Sequence, residues 1–357
     1  MQAHVLETMP RALYDSWLLT IYDPRSISAD FHGLELVMLL GFGLTLGHAL
    51  RERRNGRPLG LFLWLSALFY GVWMELLTYN TIDNFSHSQF TVMFFGKQLP
   101  LYVVLLYPTF IYVAVTSARK LKTGALATFF TAGLVALMLD APFDIMGPDC
   151  GWWIWHEGGA DPGGLVAYRW LGVPVSSYCW HLLFDGAHAP LTRRIGARLH
   201  ARLAGRSTFT TLAALLPISA LVGVLAILVG ILVMMPFHLF RALGLSDGQF
   251  TISLLVTAGL VFFLSRNRSD AGPPLWGLLG FVLAWYFFFL ALAWQVYGNG
   301  EISQWREKAL VVGLIAVVAV VVHTFIHFRG RTDKPPGRQP ARNVHQQGVV
   351  PLQSADE

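Results

Sequence analysis

Charge is scarce in this sequence: Asp, Glu, Lys and Arg make up 13% of its 357 residues, against about 25% in soluble domains. With 54% of residues apolar, the chain cannot dress a water-facing surface and reads as a membrane protein. Cysteine is scarcer still. The two residues present, Cys150 and Cys179, are too few for a disulfide framework and are expected as buried free thiols. Residues 1–31 lack a basic stretch followed by an apolar one, so no cleavable signal peptide is expected. The net charge of +5 does not point to nucleic acid, because the basic residues lie in short loops where anionic lipid headgroups are the partner.

Long apolar stretches are what the chain has in quantity. Windows of roughly 17 to 25 residues, the length that a bilayer core requires, fall at about 33–50, 59–79, 99–117, 124–140, 171–190, 209–235, 250–264, 274–297 and 308–328. The expectation is an all-α, polytopic bundle of about nine transmembrane helices in the cell membrane. Lys and Arg mark the cytoplasmic side of short loops. Alternate segments hold Arg51 to Arg57, Arg119 to Lys122, Arg193 to Arg206, Arg266 with Arg268, and Arg329 to Arg342, which together contain most of the 26 basic residues. This alternation places the N-terminus outside and the C-terminus in the cytoplasm.

Three regions follow. Residues 1–31 form an extracytoplasmic arm in which Leu13, Tyr14, Trp17, Leu18 and Ile21 recur at helical spacing, predicting an amphipathic helix on the outer interface that anchors the arm or covers a site. Residues 32–328 form the transmembrane domain, and 329–357, rich in Pro, Gln and Arg without periodicity, form a disordered cytoplasmic tail. Within the transmembrane domain, polar residues concentrate in 32–190. The segment 209–328 is almost purely apolar inside its helices, with His323 and His327 expected at the interface, so any chemistry belongs to spans one to five.

The polar residues have a pattern. Span two ends with Glu75 about one turn inside the outer boundary, where an ionised carboxylate needs a partner, a proton or water. Span four ends with Asp140 and Asp144, which i,i+4 spacing puts on one face. A Trp-rich loop with Trp153 and Trp155 follows, and span five opens at Gly172-Val173-Pro174 and carries His181, Asp185 and His188 on one face. Span one opens with His32 and Glu35, an i,i+3 pair near the outer boundary.

Spans two to three and four to five share a grammar: a carboxylate at the outer helix end, an aromatic loop, then Gly and Pro before the next helix, as in an internal duplication with a site between its halves. His181 lies about 15 Å down its helix at 1.5 Å per residue, near mid-bilayer, where an ionisable side chain marks a candidate site. Three readings stay open for His181, Asp185 and His188: a neutralising pair, a polar or proton pathway with His32 and Glu35, or part of a metal site. Three residues of one helix span too much axial distance to hold one ion, so a metal would need ligands from another helix, and no cofactor is expected.

The motifs Glu75, Gly96-Lys-Gln-Leu-Pro100, Leu106-Tyr107-Pro108, Leu139 to Gly147, Gly151 to Trp155 and Gly172 to Trp180 resemble those of the membrane carotenoid-biosynthesis hydratases, of the bisanhydrobacterioruberin hydratase type. The likeness covers roughly residues 60–190. It implies a membrane enzyme that adds water to an isolated alkene of an isoprenoid, with Glu75, Asp140 and Asp144 as the acid/base groups and Tyr107, Trp153, Trp155, Pro174 and Ser177 around the substrate. The residue chemistry is compatible: hydration needs a proton donor that generates a tertiary carbocation and a base that delivers water, and carboxyls can do both. The expected partners are membrane lipid and a hydrophobic small molecule; the sequence says nothing of oligomeric state. Two rival readings are a transporter or channel for a small solute or proton, and a non-catalytic membrane partner of a larger complex. A lipid-acting enzyme requires an apolar-lined opening that reaches the carboxylates, whereas a transporter requires a polar route through the midplane.

Overall fold

The computed structural model describes residues 10–57, 59–82, 85–156, 168–203, 206, 208–265, 275–297 and 303–328. The tail 329–357, Asp83, Arg266 and Arg268 lie outside the described residues. Apolar composition becomes helix nearly everywhere, because only an internally hydrogen-bonded backbone is stable in lipid. The long helices are α1 (Ala29–Arg54), α2 (Leu59–Leu77), α3 (Leu101–Arg119), α4 (Ala125–Met146), α7 (Thr208–Ala242), α8 (Asp247–Ser265), α9 (Trp276–Tyr297) and α10 (Ser303–Phe328), with α5 (Val175–Trp180) and α6 (Gly186–Leu203) between α4 and α7. Among the described residues, eight helices are long and apolar enough to cross a membrane, and the chain is a polytopic membrane protein.

The count differs from nine at the window 171–190. There α5 passes through a π turn, His181–Asp185, into α6. α5, the π turn and α6 run on as one helical stretch, 175–203, which is not among the eight, and its second half carries Arg193, Arg194, Arg198 and Arg202. Its place in the bundle is nevertheless central, because the π turn and α6 both lie against α4.

α3 and α4 are buried over most of their length, whereas α8 and α10 turn broad apolar faces outward. α2 lies against α3 and α7, and α9 against α1 and α10. His323 and His327, at the end of α10, are buried among the helices. α10 lies against α4 and α3, which brings His327 Nε2 to 3.5 Å from Ser117 Oγ. Cys150 and Cys179 are both free thiols, and burial raises the Cys150 thiol above its usual range.

The arm is not a helix. It forms the hairpin β1 (Ala12–Asp15) and β2 (Leu19–Tyr22), which joins β4 (Val92–Phe94) and β5 (Leu99–Pro100) in a sheet of order β1-β2-β4-β5. The spacing of Leu13, Tyr14, Trp17 and Leu18 fits a helical stripe, but pairing with β4 decides the outcome. Thr20, Ile21 and Tyr22, β-branched or aromatic, favour a half-buried strand, with Leu19 opposite Phe94 and Ile21 opposite Val92. Ser16 holds the turn by donating its hydroxyl to the Leu19 carbonyl at 2.9 Å. Trp17 at the tip is 73% exposed.

The two openings noted in the sequence are alike in structure. β5 ends in Pro100, the N-cap of α3, and β8 (Val173–Pro174), paired with β7 (Arg169–Trp170), ends in Pro174, the N-cap of α5. Proline suits both places, since it fixes φ and gives up an N–H that a helix start leaves unpaired. The connections that follow α2 and α4 also meet: β3 (Phe85–His87) pairs antiparallel with β6 (Trp153–Trp155), with Phe85 opposite Trp155 and His87 opposite Trp153. This ribbon covers the ends of the helices that carry Glu75, Asp140 and Asp144.

Candidate functional site

Asp140 and Asp144 are set by a local feature of α4. Pro142 between them has no amide to donate, so the Met138 carbonyl loses its helical partner. The Tyr286 hydroxyl donates to that carbonyl at 2.9 Å, and Trp285 Nε1 donates to the Leu139 carbonyl at 2.8 Å. α9 thus straps the turn around Pro142 that presents the two acids. Two turns earlier, Gly133 lets α4 touch the π turn: a Cβ there would stand 2.0 Å from the Leu182 carbonyl oxygen, far inside contact distance. That approach brings His181 to Asp140.

His181 Nε2 lies 3.1 Å from Asp140 Oδ2, and Nδ1 lies 3.2 Å from Asp185 Oδ2. Asp144 Oδ2 accepts the Ser177 hydroxyl at 2.6 Å. On the facing wall, Glu75 Oε1 accepts the Tyr107 hydroxyl at 2.6 Å, while Glu75 Oε2 stands 3.4 Å from His87 Nε2. His87 Nδ1 in turn lies 3.1 Å from the Tyr102 hydroxyl. The π geometry at His181–Asp185 is a feature that recurs at functional sites.

All these groups except Tyr102 and Asp185 line one cavity of about 880 Å³, counting its open mouth. Its remaining walls are Met74, Thr78, Ile82, Phe85, Val103, Leu106, Phe143, Trp153, Trp155, Pro174, Ser176 and Trp180. Glu75, Asp140, Asp144, Tyr107, Trp153, Trp155, Pro174, Ser177 and His181, named from sequence, are therefore brought together. Trp155 Nε1 is a buried donor with no partner among the described residues.

Four named residues stand elsewhere. Asp185 is one shell removed, behind His181. His188 is fully buried with its ring edge-on to Tyr70 at a centroid distance of 4.6 Å, and its ring nitrogens find no hydrogen-bond partner among the described residues. His32 and Glu35 tie the outer sheet to α1: Glu35 accepts the Thr91 amide at 2.9 Å and the Thr91 hydroxyl at 2.6 Å, and His32 Nε2 is 2.8 Å from the Pro24 carbonyl.

His87 is the main residue that the sequence reading did not put in the site. It lies in a short strand between helices, where no helical spacing relates it to Glu75, and only the β3–β6 pairing turns it inward. The metal-ligand set also differs from the one weighed on span five. Asp140, Asp144 and His181 each offer one ligand atom, and these atoms lie within 4.8 Å of one another. Two carboxylates and an imidazole suit a divalent first-row ion, and the Asp185 contact to the other ring nitrogen of His181 is the second contact that such a histidine usually makes.

Residues 8–269 match the family described as a domain of unknown function, DUF7802. No curated protein and no solved structure matches the chain.

Proposed function

The chain belongs to the DUF7802 family, and we propose that it is a membrane enzyme that adds water across an alkene of an isoprenoid or related lipid. The observation that carries this reading is the meeting of three carboxyl groups, Glu75, Asp140 and Asp144, in one cavity walled by Phe85, Phe143, Trp153, Trp155 and Trp180. Its wall chemistry suits a hydrophobic chain drawn from the bilayer, with a polar end at which water and protons are handled.

The residues divide the reaction as follows. Asp140, with His181 and Asp185 behind it, donates a proton to the less substituted alkene carbon, and the electron pair of the double bond forms the new C–H bond. The tertiary carbocation left behind is held against the faces of the aromatic rings, which attract cations electrostatically. A water attacks that carbon while Asp144, oriented by Ser177, takes the proton that the water loses. Glu75, fixed by Tyr107 and His87, faces Asp144 across the cavity and holds the water between them. Protons return from Asp144 to Asp140 through the cavity water, and the net change is addition of one H2O. The test is incubation of the purified protein with an acyclic isoprenoid in heavy-oxygen water. One labelled hydroxyl per product molecule supports the reading; product without the label, or no product from any acyclic isoprenoid offered, contradicts it.

A second reading, proton conduction, draws on a row along the π turn and α6 that runs from the cavity-lining His181 to the buried Asp185, His188 and Thr192. His188 is the member that favours it, as a titratable ring without a hydrogen-bond partner among the described residues. Proton flux into liposomes that stops in Asp185→Asn, in a protein that leaves isoprenoids unchanged, would select this reading over hydration.

A further inference from the structure

A second cavity opens at the far end of the bundle. It lies where α3 ends, the chain turns into α4 and α6 passes by, and with its mouth it measures about 690 Å³. From the start of α3 near the carboxylates to Arg119 at its end is about 27 Å at 1.5 Å per residue, so the two cavities are separate.

Arg119, Lys122 and Arg193 line this cavity together with Thr123 and Thr128, and no acidic residue does so among the described residues. Arg119 Nη2 donates to Thr192 Oγ1 at 2.7 Å, and Arg193 Nη1 reaches the Thr123 carbonyl at 3.5 Å. Neither arginine has an ion pair among the described residues, and each guanidinium has five N–H donors, so most of them remain for a ligand. Topology alone requires only that basic residues lie on one side of the membrane. Here Arg119 and Arg193, from two distant segments, are drawn to one opening, where like charges repel unless an anion sits between them.

The surroundings favour a tetrahedral oxyanion. Thr128 Oγ1 donates to the Gly124 carbonyl at 2.9 Å and lies 3.2 Å from Thr123 Oγ1, which fixes the turn beside the guanidinium forks. α4 starts at the same place with Gly124 as its N-cap and no side-chain cap hydrogen bond, which leaves the positive end of a long helix beside the cavity. Arginine forks are the donors that bind phosphate oxygens in pairs, and a helix start next to them favours the same charge.

We propose that this cavity binds a phosphate monoester group, carried by an anionic lipid headgroup of the adjacent leaflet or by free phosphate. The site does not depend on the chemistry proposed for the carboxylate cavity.

The test is thermal melting of the full-length protein in detergent with inorganic phosphate, short-chain phosphatidate or phosphatidylcholine of the same chain length, at constant ionic strength. The comparison protein is Lys122→Asn with Arg193→Gln. Both side chains are exposed, and Asn tolerates the positive φ of 50° at Lys122. Arg193→Gln alone is the second variant, should the pair not fold. Stabilisation of the native chain at ligand concentrations about tenfold below those that the variant needs, the effect of losing one charged hydrogen bond, supports the site. Phosphate and phosphatidate acting alike identify free phosphate as sufficient, whereas phosphatidate acting alone identifies a lipid headgroup. No stabilisation by either, equal stabilisation of native and variant proteins, or an equal effect of phosphatidylcholine would overturn the proposal.

Discussion

His181 and Asp140 belong to different helical segments and meet with Nε2 and Oδ2 3.1 Å apart. The contact joins a histidine that sequence spacing relates only to its own helix with an acid that it relates only to Asp144. Its two supports are also on different elements: Gly133 admits the π turn, and α9 holds the Pro142 turn in place. Both can be tested without touching the cavity.

Gly133→Ala is expected to destabilise the protein severely. The added methyl would overlap the Leu182 backbone carbonyl, and backbone cannot swing aside as a side chain can. A loss of several kcal/mol is expected, of the size seen for overpacking, about 1–3 kcal/mol, or above it. Gly43→Ala in α1, where a Cβ meets nothing within 4 Å, is the control and should melt as the native protein does. Equal melting of the two variants would show that α4 and the π turn are not in close contact.

Tyr286→Phe removes the donor to the Met138 carbonyl and leaves that carbonyl buried without its partner. The expected cost is about 1–3 kcal/mol, read as a lower melting temperature, together with lower activity from a residue that does not line the cavity. Phe in place of Tyr keeps the ring, so packing is preserved. Unchanged melting and unchanged activity would remove α9 from the account of the site.

The spans and the acids were legible in the sequence because both follow from the solvent: apolar runs of bilayer length must be helices, and Glu75, Asp140 and Asp144 at their ends need a reason to be there. The aromatic walls at Trp153 and Trp155 were legible from their place beside those acids. What was not legible depends on partners far along the chain. The arm reads as a helical stripe until β4 is available to pair with β2. His87 enters the cavity only through the register of β3 against β6. Trp285 and Tyr286 look like ordinary apolar-span aromatics, and their carbonyl acceptors are 146 and 148 residues away.

Orientation can be read by thiol labelling in intact cells with Cys150 and Cys179 replaced. Ser86 in β3 is half-buried and its hydroxyl lies 3.0 Å from His156 Nε2, so the exposed Trp17 at the hairpin tip is the better reporter. Trp17→Cys is expected to react with an impermeant reagent and Asn55→Cys is not. Reaction at Asn55→Cys alone would invert the protein in the membrane.

Acid/base hydration by carboxyl groups requires no metal. Activity is therefore expected to survive prolonged chelation within about twofold, well short of the 100-fold or greater loss that removal of a proton-transfer group causes. Loss of activity on chelation, restored by one divalent cation and absent in His181→Gln, would assign Asp140, Asp144 and His181 to a metal ion and the chemistry to a metal-bound water.

The central claim is that Glu75, Asp140 and Asp144 act together on a lipid alkene. The most direct measurement compares the masses of lipids extracted from cells that express the native chain, Glu75→Gln or Asp140→Asn, each variant shown to be folded by its melting in detergent. The account predicts an isoprenoid heavier by one water in cells with the native chain, reduced at least about 100-fold in both variants with the unhydrated lipid accumulating. The same lipid masses in all three, from folded proteins, would contradict it.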